Sequence, residues 1–457
     1  MPRTERNAHA IAGTITRLNA PDYDRWAAQI RRTGGCCQPI HLRGRVDHRH
    51  ATTGALLRRY TTRTEPDGVL RLPCKTRRAS RCAACAETYR ADTYHLIRAG
   101  LIGGKGVPTS VSTHPCLFVT LTAPSFGAVH ARRQMNGKPR PCHPRRDAET
   151  CPHDTVMSCT IKHHPDDGRL GEPLCPSCYD YTGSVLFNAL ASTLWKRFAD
   201  SLRWHLAHGH ALTIKAMRDE LVVSFAKVAE YQRRGVIHLH ALIRLDGPDG
   251  PSTPPPMWAT ADALAEAVRA AARAVHVASP SSPDQTSRLL GWGDQLDIRP
   301  VTLAGELTEQ AVAGYVAKYA TKAAECVGTL DRPIRITDDL DALPVSTHAR
   351  RLIAECLRLA YLDGLADLRL GQWAHMLGYR GHFSTRSRLF SLTLGDIRAA
   401  RERFVHTEEC TREHLMGIPE DDVVKVADWH YVGRGFTAAD ALVSASLVGS
   451  RARRGAR

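Results

Sequence analysis

The feature that most constrains this chain is a ten-residue alternation, Val236-Ile237-His238-Leu239-His240-Ala241-Leu242-Ile243-Arg244-Leu245. In a strand, successive side chains point to opposite faces. One face is then Ile237, Leu239, Ala241, Ile243 and Leu245, all apolar, and the other carries His238, His240 and Arg244. Such a strand has a buried back and holds two imidazoles side by side on its front. Neutral imidazole is a good ligand for a divalent metal. The plain alternative is a pair of half-exposed surface histidines.

The stretch Leu221–Leu245 reads as a hairpin around Arg233-Arg234-Gly235. With a three-residue turn, Gly235 supplies the left-handed residue that the turn needs. Gln232 then faces Val236, and Glu230 faces His238 on the histidine face. A two-residue turn would put the carboxylate on the apolar face, so this third ligand depends on register.

Thr308–Ala324 predicts a helix with Thr308 at its N-cap and Glu309 in its first turn. Tyr315 and Tyr319 are four residues apart and share a face, with Lys318 and Lys322 on the flank. Tyrosines at this spacing ordinarily pack. A tyrosine hydroxyl can also attack phosphorus, and nearby lysines would favour the phenolate.

Of 14 cysteines, eleven lie in the first 180 residues, and Cys326, Cys356 and Cys410 are scattered. The N-terminus has no signal-peptide shape, and no stretch approaches the ~18 apolar residues of a membrane span. A cytoplasmic location follows, where thiols stay reduced and a disulfide framework is not expected. Cys82-Ala83-Ala84-Cys85 and Cys175-Pro176-Ser177-Cys178 each have the C-x-x-C bite of a zinc site. Cys74 with Cys36 or Cys37 would complete the first. Cys142, Cys151, His153, Cys159 and His163 offer more than enough for the second. The expectation is two structural zinc ions holding irregular segments that lack a core of their own.

Lys plus Arg exceed Asp plus Glu by 16, which favours an anionic partner. A basic cluster of Arg380, His382, Arg386 and Arg388 opens the last part of the chain; Arg380, Arg386 and Arg388, with Lys322, are candidate DNA contacts, and a tail with Arg451, Arg453, Arg454 and Arg457 could touch phosphates. Three consecutive regions are expected: a basic zinc-binding region 1–110, a core 111–330 with a zinc-binding insertion at about 130–183, and a C-terminal DNA-contacting region 331–457. Further helices are expected at Ser184–Leu206, Thr260–Val275 and Ala349–Leu370, and a strand at Leu117–Thr122.

The strand Phe118-Val119-Thr120-Leu121-Thr122, then His238-Leu239-His240, then Tyr315-Val316-Ala317-Lys318-Tyr319 follow one another in the order that resembles the HUH endonucleases of rolling-circle initiators. The two-tyrosine helix is similar to that of small-phage gene A initiators. Nearly the whole chain resembles the actinomycete plasmid replication initiators, through Thr120-Leu121-Thr122-Ala123-Pro124-Ser125-Phe126-Gly127, Pro173-Leu174-Cys175-Pro176-Ser177-Cys178-Tyr179-Asp180-Tyr181 and Arg380-Gly381-His382-Phe383-Ser384-Thr385.

The resemblance implies an α+β fold with an antiparallel-sheet HUH core of the ferredoxin-like, palm type. It implies His238 and His240, with Glu230, as ligands of Mg²⁺ or Mn²⁺. Tyr319 falls at the nucleophile position of single-tyrosine relatives, which carry a glutamate where Tyr315 stands; Lys318 is the helix lysine of the motif. Implied partners are plasmid origin DNA, a host helicase and a polymerase. No Walker A sequence accompanies these motifs, so a fused helicase is not expected. Two other readings share some of these features: a two-tyrosine transposase acting on element ends, and a zinc-stabilised DNA-binding regulator without catalysis.

Overall fold

A computed structural model describes residues 3–147, 149–301, 309–322, 329–330, 332–335, 337–399 and 422–454. The side chains of 3–8, 309–310, 319–322 and 448–454 lie outside the described set. In chain order the helices are α1 (Arg3–Leu18), α2 (Tyr23–Arg32), α3 (Ala83–Ile102), α4 (Tyr181–Gly209), α5 (Ile214–Glu220), α6 (Ala261–Ala274), α7 (Glu309–Lys322), α8 (Thr347–Ala360), α9 (Leu370–Trp373) and α10 (Ala438–Arg454). The strands begin with β1 (Ile40–His50), β2 (Leu56–Thr61), β3 (Leu70–Leu72), β4 (Cys116–Leu121), β5 (Arg133–Met135), β6 (Lys138–Arg140), β7 (Val222–Tyr231) and β8 (Ile237–Asp246). They end with β9 (His276–Ala278), β10 (Leu289–Gly291), β11 (Leu296–Pro300), β12 (Ser384–Arg386) and β13 (Val423–Arg434). The fold is mixed α+β, and its sheets are antiparallel.

The chain divides into two compact units: Met1–Asp92 with Leu394–Arg457, and Thr93–Thr393. That division differs from the three consecutive regions expected from sequence. In the first unit β13 pairs along the whole of β1, from Ile40 opposite Arg434 to His50 opposite Val423. The far end of the sequence therefore completes a sheet begun at its start, a pairing that no local pattern encodes. Trp26, Ala27 and Ile30 of α2 share one helical face and bury themselves against Val443 of α10. Arg17 adds ion pairs to Asp440 at 2.8 Å and Asp67 at 3.0 Å.

The second unit is built on a five-stranded sheet of order β11-β4-β8-β7-β12. Its back face carries Val119 and Leu121 of β4 and Leu239, Ala241 and Ile243 of β8 into one core with Leu194 and Phe198 of α4, Leu264 and Val268 of α6, and Leu352 and Ile353 of α8. Burying each of the Val, Leu, Ile and Phe side chains among these contributes about 1.5–3 kcal/mol. The helices start where short polar side chains cap them: Asp180 accepts from Gly183 N, Thr260 from Ala263 N and Ser346 from Ala349 N. The helix expected over Ala349–Leu370 stops at Ala360. The chain then turns through Gly364, whose φ of +83° is left-handed, before α9. Among the described residues, 130–180 contain the short hairpin β5–β6 and otherwise turns and isolated bridges, as their lack of periodicity predicts, and α4 begins at Tyr181.

Candidate functional site

The hairpin β7–β8 has the register of the three-residue turn. Gln232 N donates to Val236 O at 2.9 Å, Gly235 takes φ +74°, and Glu230 lies opposite His238. The tip is gripped from behind by the buried Asn188 of α4, which donates to Gly235 O and accepts from Ile237 N, both at 2.9 Å. On the front face, Glu230 Oε2 lies 3.1 Å from His238 Nε2 and 3.3 Å from His240 Nε2. The three ligand atoms sit within 4.8 Å of one another.

Neighbouring strands finish the arrangement. Thr120 of β4 lies opposite His240, and its Oγ1 is 3.0 Å from His240 Nδ1. A proton held on Nδ1 leaves the Nε2 lone pair directed at the Glu230 side, the orientation a metal ligand requires. The Phe118 ring stacks on His240 with an interplanar angle of 5°. Asp297 of β11, opposite Thr120, adds a negative charge that acts on the same imidazole. Burial lowers the pKa of His240 overall, against the opposite pull of Glu230, and so favours the neutral ring. Burial raises the Glu230 carboxyl, but its contacts with His238 and His240 outweigh that and hold it below its ordinary value. Neutral nitrogen and ionised carboxylate form a donor set suited to a divalent cation.

Helix α7 brings a tyrosine to this centre. Tyr315 Oη is 3.3 Å from His240 Nε2, and its ring meets Phe118 edge-on at 5.6 Å. Lys318 is exposed on the same helix. Tyr319 belongs to α7, but its side chain, like that of Lys322, lies outside the described residues.

Among the described residues the cysteines form three groups rather than two. Cys36, Cys74, Cys82 and Cys85 gather in the first unit. Cys37 lies outside this group, and its Sγ donates to Arg81 O at 3.3 Å. In the second unit Cys151, His153, Cys175 and Cys178 form one group and His130, Cys142, Cys159 and His163 another. Cys142 and Cys159, expected beside Cys175 and Cys178, thus belong to a separate cluster. The sequence offered a surplus of ligands for one site; His130 makes the surplus into a second tetrad.

The chain matches the family described as "Replication initiator protein, pSAM2" over residues 22–448. It belongs to that family of plasmid replication initiators. A "Replication initiator protein" of Streptomyces ambofaciens is 48% identical over 455 residues, covering 98% of this chain and 95% of the relative. No solved structure matches it.

Other sequence candidates are distributed over the initiator as follows. Arg386 of β12 reaches the histidine face of the sheet, since Ser384 lies opposite Val228 and Val228 opposite His240. Arg380 is exposed and donates to Asp367 O at 2.6 Å, and Arg388 is exposed. Cys356 is a core residue, while Cys326, Cys410 and the N-cap candidate Thr308 lie outside the described residues. Among the described residues no helix is long and apolar enough to cross a membrane. Sequence reasoning missed Asn188 and Asp297, which act across elements far apart in the chain. Thr120 stood within a quoted motif, without a role that local pattern could assign.

Proposed function

We propose that this replication initiator is an HUH-type endonuclease that nicks one strand of its plasmid origin through a tyrosine. The observation that carries the reading is the Glu230–His238–His240 triad with the Tyr315 hydroxyl against it. Glu230, His238 and His240 would hold Mg²⁺ or Mn²⁺. When bound, the ion supplies charge withdrawal at the scissile phosphate and orients it for in-line attack.

The chain's own groups do the rest. A helix α7 phenolate attacks phosphorus, a Tyr Oη–P bond forms, and the P–O3′ bond breaks. The leaving oxygen takes a proton and becomes a 3′-hydroxyl that primes synthesis. The phosphotyrosine link keeps the energy of the phosphodiester, so rejoining needs no ATP. Tyr319 holds the position that resemblance assigns to the first attack, and Tyr315, one turn away, serves the second cut. Lys318 favours the phenolate form. Arg380, Arg386, Arg388 and Lys322 are the cations offered to DNA phosphates. A host helicase would unwind the duplex and a host polymerase would extend the end.

Zinc in the Cys36–Cys74–Cys82–Cys85 and Cys151–His153–Cys175–Cys178 groups would be structural. Four closely gathered donors, two of them in a C-x-x-C bite, fit that ion.

The deciding experiment incubates the purified chain with a supercoiled plasmid carrying its origin, with and without Mn²⁺. The expected product is an open circle with protein bound to a 5′ end, formed only with the metal. A protein that binds this plasmid and leaves it supercoiled under all conditions is a regulator, not a nickase.

A further inference from the structure

The tetrad that the sequence did not separate, His130–Cys142–Cys159–His163, has the geometry of a closed metal site. His130 Nδ1 is 3.2 Å from His163 Nε2, Cys159 Sγ is 3.5 Å from His163 Nε2, and Cys142 Sγ is 4.0 Å from His130 Nδ1. A tetrahedral zinc with its usual bond lengths has N···N edges of about 3.3 Å and N···S edges of about 3.6 Å. Cys142, Cys159 and His163 are buried. Ala131 N donates to Cys142 Sγ at 3.1 Å, a contact that favours thiolate against the larger upward push of burial. His163 Nδ1 lies 2.7 Å from Asp167 Oδ2, and Arg169 holds that carboxylate at 2.8 Å. A carboxylate behind the ligand imidazole fixes its tautomer and orientation, as at many zinc sites.

What the tetrad holds is the loop 163–172, and that loop rests on the tip of β7–β8. Arg233 Nη2 donates to Pro165 O at 2.7 Å. Gly171, at φ +92°, approaches so closely that a Cβ there would lie 2.3 Å from Arg233 O. Gly171 N in turn donates to His130 O at 2.8 Å, which returns the chain to a ligand of the tetrad. The same loop contributes Asp166, Asp167, Gly168 and Leu170 to the wall of a cleft of about 860 Å³ that also contains Glu230 and His238.

We infer that His130, Cys142, Cys159 and His163 bind a further zinc ion, and that this ion positions the hairpin tip carrying Glu230. The positioning half rests on the reading of Glu230, His238 and His240 as the nicking centre; the zinc half does not. These four residues are positioning groups, since none lies in the Glu230–His238–His240 cluster.

Two measurements that involve no DNA test this. Metal analysis of the full chain, purified without chelator, is expected to give three zinc ions, one for each Cys/His group. The double variant Cys142→Ser/Cys159→Ser is expected to give one fewer. In hydrogen exchange, the tip amides of 232–236 in that variant should exchange at least ~10-fold faster, while β4 is unchanged. An unchanged zinc count overturns the site, and a tip that exchanges at the wild-type rate overturns its positioning role. Should the double variant fail to fold, Asp167→Asn keeps all four ligands. It is expected to release one zinc of three to a colorimetric chelator ~10–100-fold more readily. Release indistinguishable from wild type then overturns the site. A chain that passes these tests yet never nicks DNA would refute the nuclease reading alone.

Discussion

Two stretches of the second unit place polar ligands by opposite routes. In β7–β8 the ladder runs unbroken from Val222 opposite Asp246 to Tyr231 opposite Ile237, over an apolar back of Leu239, Ala241 and Ile243. The fold there holds the ligands. In the loop region 130–183 there is almost no ladder and little apolar face, and two Cys/His groups gather instead. There, on the reading proposed above, bound metal would hold the fold. The first arrangement should survive loss of its polar groups, and the second should not.

The largest expected effect is on chemistry without structure. His238→Ala and His240→Ala should each abolish nicking while duplex binding and the thermal midpoint stay close to wild type. Tyr315→Phe/Tyr319→Phe should lose the covalent DNA adduct by about 10³-fold or more. Of the single variants, Tyr319→Phe should lose most initial nicking. Tyr315→Phe should nick nearly normally but leave strands unresolved; the reverse pattern would exchange the two roles. An adduct at full yield in the double variant places the nucleophile elsewhere. Loss of folding in the histidine variants would break the contrast drawn above.

Next comes the loop. Chelation of the full chain should open new protease sites within about 30–90 and 140–180, while amides of β7 and β8 remain protected. Protein free of zinc after chelator-free purification, or an unchanged digest after chelation, would count against metal as the staple.

A smaller effect tests the apolar back itself. Lys227 points to that face, 6% exposed, with Nζ 5.5 Å from the Trp195 ring centre, and burial pushes its pKa down to about 8. The unfolded chain, with an ordinary lysine, binds more protons than the folded one between that value and about 10.4, so stability rises with pH across this window. At pH 7 the penalty is fully present, on the order of 3 kcal/mol. Lys227→Met should therefore raise stability at pH 7, and its advantage should shrink by pH 10 in denaturant titrations. A pH-independent gap would mean that the lysine is not paying for its burial.

The smallest effect is at the turn. Gly235→Ala places a Cβ at φ +74° and should cost about 1 kcal/mol in the same titrations, with the register retained. A gain in stability would show that the left-handed residue is not what sets the turn.

The hairpin, its register, the site face and the tyrosine helix were legible because each is a short-range pattern. Alternation shows which side of β8 is buried, and the left-handed Gly235 limits the turn to one register. The C-x-x-C pairs were legible for the same reason. The strands β1–β3, by contrast, escaped notice: β1 reads Ile40-His41-Leu42-Arg43-Gly44-Arg45, and Arg43 and Arg45 on it are exposed, so little hydrophobic signal survives.

What the sequence by itself determined is therefore the chemistry on each element: two histidines and a carboxylate on one face, two tyrosines on one helix, and thiols in a region without periodicity. Only the tertiary structure decided partnership. It put Tyr315 rather than solvent against His240, Thr120 behind that imidazole, Asn188 behind the tip, and β13 beside β1. It also assigned His130 to Cys142 and Cys159 and left Cys37 out. The physical reason is range. Backbone periodicity and turn geometry act over a few residues, whereas ligand sets and helix-on-sheet contacts join groups tens to hundreds of positions apart, and only the burial of the whole core chooses among them.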